Sequence, residues 1–387
     1  MEHADFLSGT TAEAGLATGV SMIRKGFHKD SVVSEIRKFL PPATDFEEVY
    51  SICRARIKGK EKFSLAEQMY MTLEDLQFAT PELVAAYRAE RMNSRTPADL
   101  ACGIGGQALF LAKRSDSVVA VERDRRKLAY AKKNAAAYGI TNITFIEGDC
   151  LEPDIARKVA KKCDTFLCDP QRPLADKLDN MQPAVSDILS RYGNQLAYEY
   201  PPQTPPDVAQ FDCEKEYLSV DGKLNRLTLY FGTLKRHDVS AVSLPNKEVL
   251  HSGMKSAGMQ PASEALAYLY EADTAVTKAG LLPQLAARVP GALVLQGAPA
   301  KTTLLTFDKR FTNPFLRRFK VVATARNETS AIRRALKEAG IGTVVLRGSV
   351  DQHTYWEMRK QFESSQLPGK AHLFLFKNTA LVCADDS

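Results

Sequence analysis

The segment Asp99 to Gly106 reads Asp-Leu-Ala-Cys-Gly-Ile-Gly-Gly, and about twenty residues after its first glycine stands the acid Glu122. A short apolar approach precedes the glycines, and a helix-like run, Gln107 to Arg114, follows them. Ser117 to Val121 then reads as a strand ending at Glu122. A strand, a glycine turn, a helix and a second strand ending in an acid open a doubly wound α/β nucleotide site. The glycines let the backbone close on a ligand, and the acid accepts hydrogen bonds from ribose hydroxyls.

Two further stations keep the register. The β-branched run Ile143 to Ile146 stops at Glu147-Gly148-Asp149-Cys150, where an acid can accept a bond from an adenine amino group. Thr165 to Cys168 ends in Asp169-Pro170-Gln171-Arg172-Pro173. One acid at a strand end is commonly a cap or a turn residue. Polar or glycine-rich elements at four successive strand ends are better explained by a ligand lying across the carboxyl edge of a parallel sheet. The spacing is not Gly-x-Gly-x-x-Gly, so a pyrophosphate is a poor fit. A Gly-x-Gly-Gly turn after a strand-ending Asp suits S-adenosylmethionine (SAM), which has no phosphate to wrap.

A chain of 387 residues has room for two or three domains, each with its own core. Its 44% apolar and 25% charged content is that of a globular protein. No apolar run approaches the roughly 18 residues of a membrane span, and no signal-peptide pattern appears at Met1, so a cytoplasmic protein is expected. The seven cysteines (53, 102, 150, 163, 168, 213 and 383) form no C-x-x-C pair, and the six histidines show no ligand spacing. Neither a metal site nor a disulfide framework is expected.

The net charge of +6 is concentrated. Residues 300 to 347 hold eleven Lys and Arg against three Asp and Glu, which leaves the rest of the chain slightly acidic. Phe311, Phe315 and Phe319 are interleaved at spacings of four, which reads as a buried apolar face with the basic residues on its solvated side. A surface of one sign is the footprint of a polyanion, and RNA is the expected partner.

Residues 1 to 94 read as helical, with segments at Leu65 to Met71 and Pro81 to Met92, the second capped by Thr80 ahead of a proline. From about 96 to 240 strands and helices alternate, as in a parallel sheet. Leu196 to Tyr200 is a fifth strand, and the proline-rich stretch 201–206 is a loop. Asp221-Gly222-Lys223 between Glu216–Val220 and Leu224–Phe231 signals a hairpin. After about 245 the pattern restarts. Short strands at 267–269, 293–296 and 303–307 surround a helical stretch at 275–288. A unit beginning at Lys320 carries a helix at 330–340 and strands at 343–346 and 373–377.

These residues carry a family resemblance. Met71 to Glu82, with its Thr80-Pro81-Glu82 helix start, the Gly103 to Gly106 turn, and Asn134-Ala-Ala-Ala-Tyr138-Gly139 resemble the trimethylguanosine synthases, the RNA cap guanine-N2 methyltransferase family. Glu216 to Gly222, Tyr268 to Val276 and Ile332 to Lys337 resemble the THUMP-like class I SAM-dependent methyltransferases, and that likeness covers nearly the whole chain. The resemblance implies an α/β protein with a Rossmann-like class I methyltransferase core, an N-terminal helical region and C-terminal α+β domains. The corresponding divisions are 1–94 (helical), 95–245 (methyltransferase), 246–319 (ferredoxin-like) and 320–387 (THUMP-like). It also implies SAM as cofactor. Ala101, Cys102 and Gly103 would face its methionine moiety, Glu122 its ribose, and Asp149 and Cys150 its adenine, with Thr80 closing the pocket. Asp99, Gly105 and Arg123 complete the candidate cofactor set. Asp169 and Pro170 would face the reactive methyl and the acceptor, with Arg172 beside them.

Methyl transfer from a sulfonium is an in-line displacement, governed by proximity and alignment. For a base amine, an Asp carboxylate and a Pro carbonyl accept the N–H bonds and orient the nitrogen. In this chain Gln171 and Arg172 stand where that motif ordinarily has a second proline and an aromatic. Arg172 would stack on a base or pair with a phosphate instead. Carbon methylation of a pyrimidine is the rival chemistry and requires a cysteine nucleophile, for which Cys150, Cys168 and Cys213 are the candidates. Nitrogen ranks ahead of carbon. The same residues also admit a methyltransferase acting on a non-RNA substrate, and an RNA-binding protein with a silent SAM site.

Overall fold

A computed structural model describes residues 9–170, 181–298, 302–348, 350–351 and 353–386. The chain divides into two compact units, residues 1–200 with 229–235, and residues 201–228 with 236–387.

The first unit begins with five helices: α1 (Thr10–Arg24), α2 (Lys29–Ile36), α3 (Phe46–Lys58), α4 (Leu73–Phe78) and α5 (Glu82–Met92). The alternating part follows as β1 (Pro97–Asp99), α6 (Ala108–Ala112), β2 (Val118–Glu122), α7 (Arg125–Ala137), β3 (Ile143–Glu147), α8 (Pro153–Lys162), β4 (Thr165–Cys168), α9 (Val185–Tyr192) and β5 (Leu196–Tyr200). The strands lie in the order β3-β2-β1-β4-β5 and all pair in parallel. The order reverses between β1 and β4, so the crevice at the carboxyl ends of those two strands is the natural ligand position. A single core joins the helices to the sheet. Leu16, Val49 and Ile52 of the helices cluster with Leu109, Ala120 and Leu167, all with 2% exposure or less.

Two local expectations in this unit fail for tertiary reasons. Leu65 to Met71 is not a helix beyond the single 3-10 turn Ala66–Gln68. Its backbone is claimed from outside: Arg56 Nε donates to the Met69 carbonyl (3.0 Å), and the Asn134 amide pairs with both Tyr70 N (2.7 Å) and Tyr70 O (3.0 Å). Thr80 does not cap α5. Pro81 precedes the first helical residue and no side chain caps it. Lys62 Nζ instead binds the carbonyls of Leu76 (2.7 Å) and Ala79 (3.0 Å), fixing the chain just ahead of Thr80.

In the second unit β6 (Glu214–Val220) and β7 (Lys223–Tyr230, whose last residues belong to the first unit) flank the expected Asp221-Gly222 turn. With β8 (Val239–Leu244) and β9 (Glu248–His251) the order is β7-β6-β8-β9. The chain continues through β10 (Pro261–Ala262), β11 (Tyr268–Ala272), α10 (Thr274–Lys278), α11 (Leu282–Arg288), β12 (Leu293–Leu295), β13 (Leu304–Phe307) and β14 (Leu316–Arg326). It ends with α12 (Thr329–Glu338), β15 (Ile341–Arg347), α13 (Tyr355–Phe362), β16 (Gly369–Leu375) and β17 (Thr379–Asp385). The later strands form one eight-stranded sheet, ordered β10-β12-β13-β11-β14-β17-β16-β15. The expected division between residues 319 and 320 falls inside β14.

The helix expected over 275–288 is two helices, α10 and α11, separated by a turn at Gly280. The basic segment is also less one-sided than its composition implies. Phe315 and Phe319 are fully buried, but Arg318 beside them is buried as well, with Nε 2.7 Å from Asp386 Oδ2. Arg310 pairs with the same carboxylate at 3.2 Å and Arg317 with Asp385 at 2.8 Å. Part of the local positive excess is therefore neutralised by the end of the chain. The exposed cations that remain include Lys320, Arg326, Arg333, Arg334 and Lys337.

Candidate active site

The candidate residues converge on the carboxyl edge of the first sheet. Asp99 ends β1, Glu122 ends β2, and Asp169 follows β4 directly. The turn between β1 and α6 closes because Gly103 and Gly105 take positive φ (55° and 86°). A Cβ on Gly105 would come within 3.2 Å of Ala131 Cβ, so the turn lies hard against α7. Among the described residues, a Cβ on Gly103 would meet nothing within 4 Å, which leaves room there for a ligand.

Side chains hold the turn in shape. Glu122 Oε2 accepts from Gly103 N at 2.8 Å, and its Oε1 accepts from Asp124 N at 2.9 Å. One carboxylate thus braces both the glycine turn and the start of α7. Asn134, fully buried on α7, donates to the Ile104 carbonyl at 2.9 Å. Arg88 of α5 donates to Gln107 Oε1 at 2.8 Å and forms a buried ion pair with Glu199 of β5. Gln107 passes the link on to the Ala85 carbonyl at 3.1 Å. This network joins α5, the glycine turn and β5. Nothing in the sequence warns of it, because Arg88 and Glu199 look like ordinary surface charges.

Asp99 is strongly perturbed by its surroundings. It is 1% exposed; Oδ1 accepts weakly from Ala101 N at 3.4 Å, and among the described residues Oδ2 has no hydrogen-bond partner. Burial pushes its carboxyl up to about 7, and the nearby Asp169 and Glu122 charges push the same way. A buried, orphaned carboxylate oxygen is costly unless a donor completes it. A cationic ammonium meets that need, and SAM carries one.

The remaining candidates sit around the same edge. Asp169 is half-buried, and Thr80 Oγ1 donates to its Oδ2 at 3.4 Å, which brings the segment before α5 to the end of β4. Pro170 is buried, Ala101 half-buried and Arg123 exposed. Cys102 is buried with its thiol against the Gly103 carbonyl (3.7 Å). Asp149 Oδ1 accepts from Leu151 N at 2.8 Å, shaping the turn after β3, and the Cys150 carbonyl accepts from Tyr192 Oη at 2.5 Å. Arg172 lies outside the described residues, as does Gln171.

None of the three cysteines weighed as carbon-attacking nucleophiles has a favourable setting. Cys150, Cys168 and Cys213 are 5% exposed or less. Burial pushes the Cys150 thiol up to about 12 and raises Cys168 well above an ordinary thiol. A thiolate, not a thiol, is the nucleophile. Among the described residues no group of side chains has metal-ligand geometry, and no helix is long and apolar enough to cross a membrane.

Comparison with known proteins bears on the chemistry of this fold. Residues 94–179 match the model of a family described as RNA cap guanine-N2 methyltransferase. An uncharacterized S-adenosylmethionine-dependent methyltransferase of Mycobacterium tuberculosis is 25% identical over 294 residues, covering 73% of this chain and 78% of the relative. A 23S rRNA (uracil(1939)-C(5))-methyltransferase of Shewanella amazonensis is 40% identical, but over 90 residues that span 22% of this chain and 20% of that protein. An uncharacterized RNA methyltransferase of Halalkalibacterium halodurans is 28% identical across 46% of this chain and 44% of its own length. A crystal structure from Porphyromonas gingivalis, assigned as a methyltransferase, superposes with a TM-score of 0.73 over 97% of this chain and 99% of that one; at 14% identity it speaks for the fold. Sheet order, glycine turn and relatives agree on one chemistry: the chain is an S-adenosylmethionine-dependent methyltransferase.

Proposed function

We propose that this enzyme transfers the methyl group of SAM to a nitrogen of a base in RNA, of the tRNA or rRNA class, in the cytoplasm. The observation that carries the reading is the position of Asp169 and Pro170 directly after β4, across the strand-order reversal from Asp99 and the glycine turn. In this reading Ala101, Cys102 and Gly103 line the methionine moiety, Gly105 allows the close approach, and Asp99 takes the ammonium. Glu122 takes the ribose hydroxyls on the lone pairs its two backbone bonds leave free, with Arg123 beside it. Asp149 and Cys150 border the adenine, and Thr80 closes the pocket over Asp169.

The chemistry follows from alignment. The sulfonium–methyl bond breaks as the acceptor nitrogen–methyl bond forms, in line, and the sulfur leaves neutral. The Asp169 carboxylate and the Pro170 carbonyl accept the acceptor's N–H bonds, turn its lone pair toward the methyl, and Asp169 takes up the proton released. Arg172, which lies outside the described residues, would stack on the base or pair with a phosphate in this reading. The relatives that act on RNA support RNA as substrate.

We further infer that residues 246–319 and 320–387 are the ferredoxin-like and THUMP-like parts, joined through β14, and that the exposed cations of the last part bind RNA. Carbon methylation is favoured by the segment shared with the uracil-C5 enzyme. The burial of Cys150, Cys168 and Cys213 argues against it. A 5-fluoropyrimidine RNA separates the two readings. A covalent adduct supports carbon chemistry and overturns the nitrogen assignment. Transfer without an adduct, abolished by Asp169→Ala, supports nitrogen.

A further inference from the structure

The chain has one tryptophan, and it is placed in water. Helix α13 is amphipathic. Phe362, Met358 and Tyr355 pack into the cluster that α12 forms on the sheet, whereas Trp356 is 63% exposed. An indole is among the largest apolar surfaces a chain can bury, and leaving it in water forgoes that stabilisation. Its neighbours hold it rather than cover it. The Arg359 guanidinium lies 5.2 Å from the ring centroid, and Tyr355 meets the ring edge-on at 5.4 Å. Arg359 is itself anchored to Glu363 at 2.7 Å. The indole therefore has a restricted orientation, which lowers the entropy cost of stacking on it.

The surroundings are cationic. Lys360 is exposed one helical turn beyond Trp356. Arg333 Nε donates to the Gln361 carbonyl at 2.5 Å and ties α12 to α13, and Arg333, Arg334 and Lys337 are exposed on α12. The exposed acids on the two helices are Glu338 and Glu357, so cations predominate. A single planar aromatic amid positive charge matches a polyanion with exposed flat rings. It does not match a membrane surface, which takes a continuous apolar stripe; the exposed neighbours of Trp356 on α13 are Glu357, Lys360 and Gln361.

We propose that α13 is a docking point for an unpaired nucleobase of single-stranded RNA, with Trp356 as the stacking plane and Lys360 and the α12 cations holding the adjacent phosphates. This rests on the reading of RNA as substrate and specifies the strand's state at a position that reading did not assign. Duplex RNA hides its base faces, so it engages the cations but not the indole.

Because Trp356 is the only tryptophan, its fluorescence reports this surface alone. Full-length protein is titrated with a short mixed-sequence RNA oligonucleotide, with the same sequence as a duplex, and with phosphatidylglycerol vesicles, while affinity is read independently from the anisotropy of labelled RNA. The expected result is saturable quenching by the single strand and not by the duplex. Trp356→Ala weakens single-strand binding about tenfold, and Trp356→Phe restores most of it. RNA binding with unchanged fluorescence and an unaffected Trp356→Ala variant overturns the docking point while leaving the RNA reading standing. Equal quenching by duplex, or a blue shift with vesicles alone, also overturns it. Absence of binding to any RNA overturns both readings.

Discussion

Asp99→Asn separates the cost of a buried charge from its use. In the folded chain burial lifts the Asp99 carboxyl to about 7, whereas in the unfolded chain it titrates near ~3.9. Between those values the folded state holds a proton that the unfolded chain has released. Stability contributed by this group is therefore fully present below the unfolded pKa, falls as pH rises through the window, and levels off above the folded pKa. A shift of roughly three units at about 1.4 kcal/mol each amounts to about 4 kcal/mol. Asparagine keeps the shape and never ionises. The ligand-free variant should match the wild type below about pH 4, where both states are protonated, and exceed it increasingly as pH rises, by up to about 4 kcal/mol at pH 8, with a flatter profile between. Urea unfolding across this range measures both curves. The same substitution should weaken SAM binding about tenfold or more by calorimetry, because the orphaned Oδ2 no longer offers a charge to an ammonium. Identical pH slopes in the two proteins would refute the claim that Asp99 is held protonated, and unchanged SAM affinity would refute its assignment to the cofactor.

Other perturbations probe other parts of the site. Glu122→Ala removes the acceptor for Gly103 N and Asp124 N as well as the proposed ribose partner, so SAM affinity should fall by about 1–3 kcal/mol in calorimetry; undiminished binding would remove Glu122 from the pocket. Asp169→Ala should abolish methyl transfer while SAM affinity stays within a few-fold, since its lost contacts are made by the acceptor; wild-type turnover would refute the acceptor assignment. Cys150→Ala, Cys168→Ala and Cys213→Ala should each retain turnover after correction for folded fraction, because the proposed nitrogen chemistry uses no thiol nucleophile; complete loss in a well-folded variant would point to carbon chemistry.

The site's frame is legible in the sequence because it is written in local chemistry. Thr165–Cys168 is a short, mostly apolar run stopped by Asp169-Pro170, and the structure ends β4 at that boundary. Leu196–Tyr200 and the Asp221-Gly222 turn are legible for the same reason. What escapes depends on partners far along the chain. Leu65 to Met71 has helix-forming residues, but Arg56 and Asn134 take its backbone groups. The basic excess of residues 300–347 ignores Asp385 and Asp386, which pair with Arg317 and Arg318 from 68 residues away. Glu122 is legible as the acid that ends β2, but its bracing of the glycine turn emerges only when β1 and β2 lie side by side. Strand β17 and helix α13 are hard to read because segments of seven and eight residues are too short to set a period apart from their polar flanks.

The central claim is tested most directly by incubating the purified enzyme with methyl-labelled SAM and total RNA from cells that lack it, then identifying the labelled nucleoside by mass spectrometry. The account predicts label in RNA on a base nitrogen, lost with Asp169→Ala. Label on a pyrimidine carbon would contradict the chemistry, and label in protein or small molecules with none in RNA would contradict the substrate.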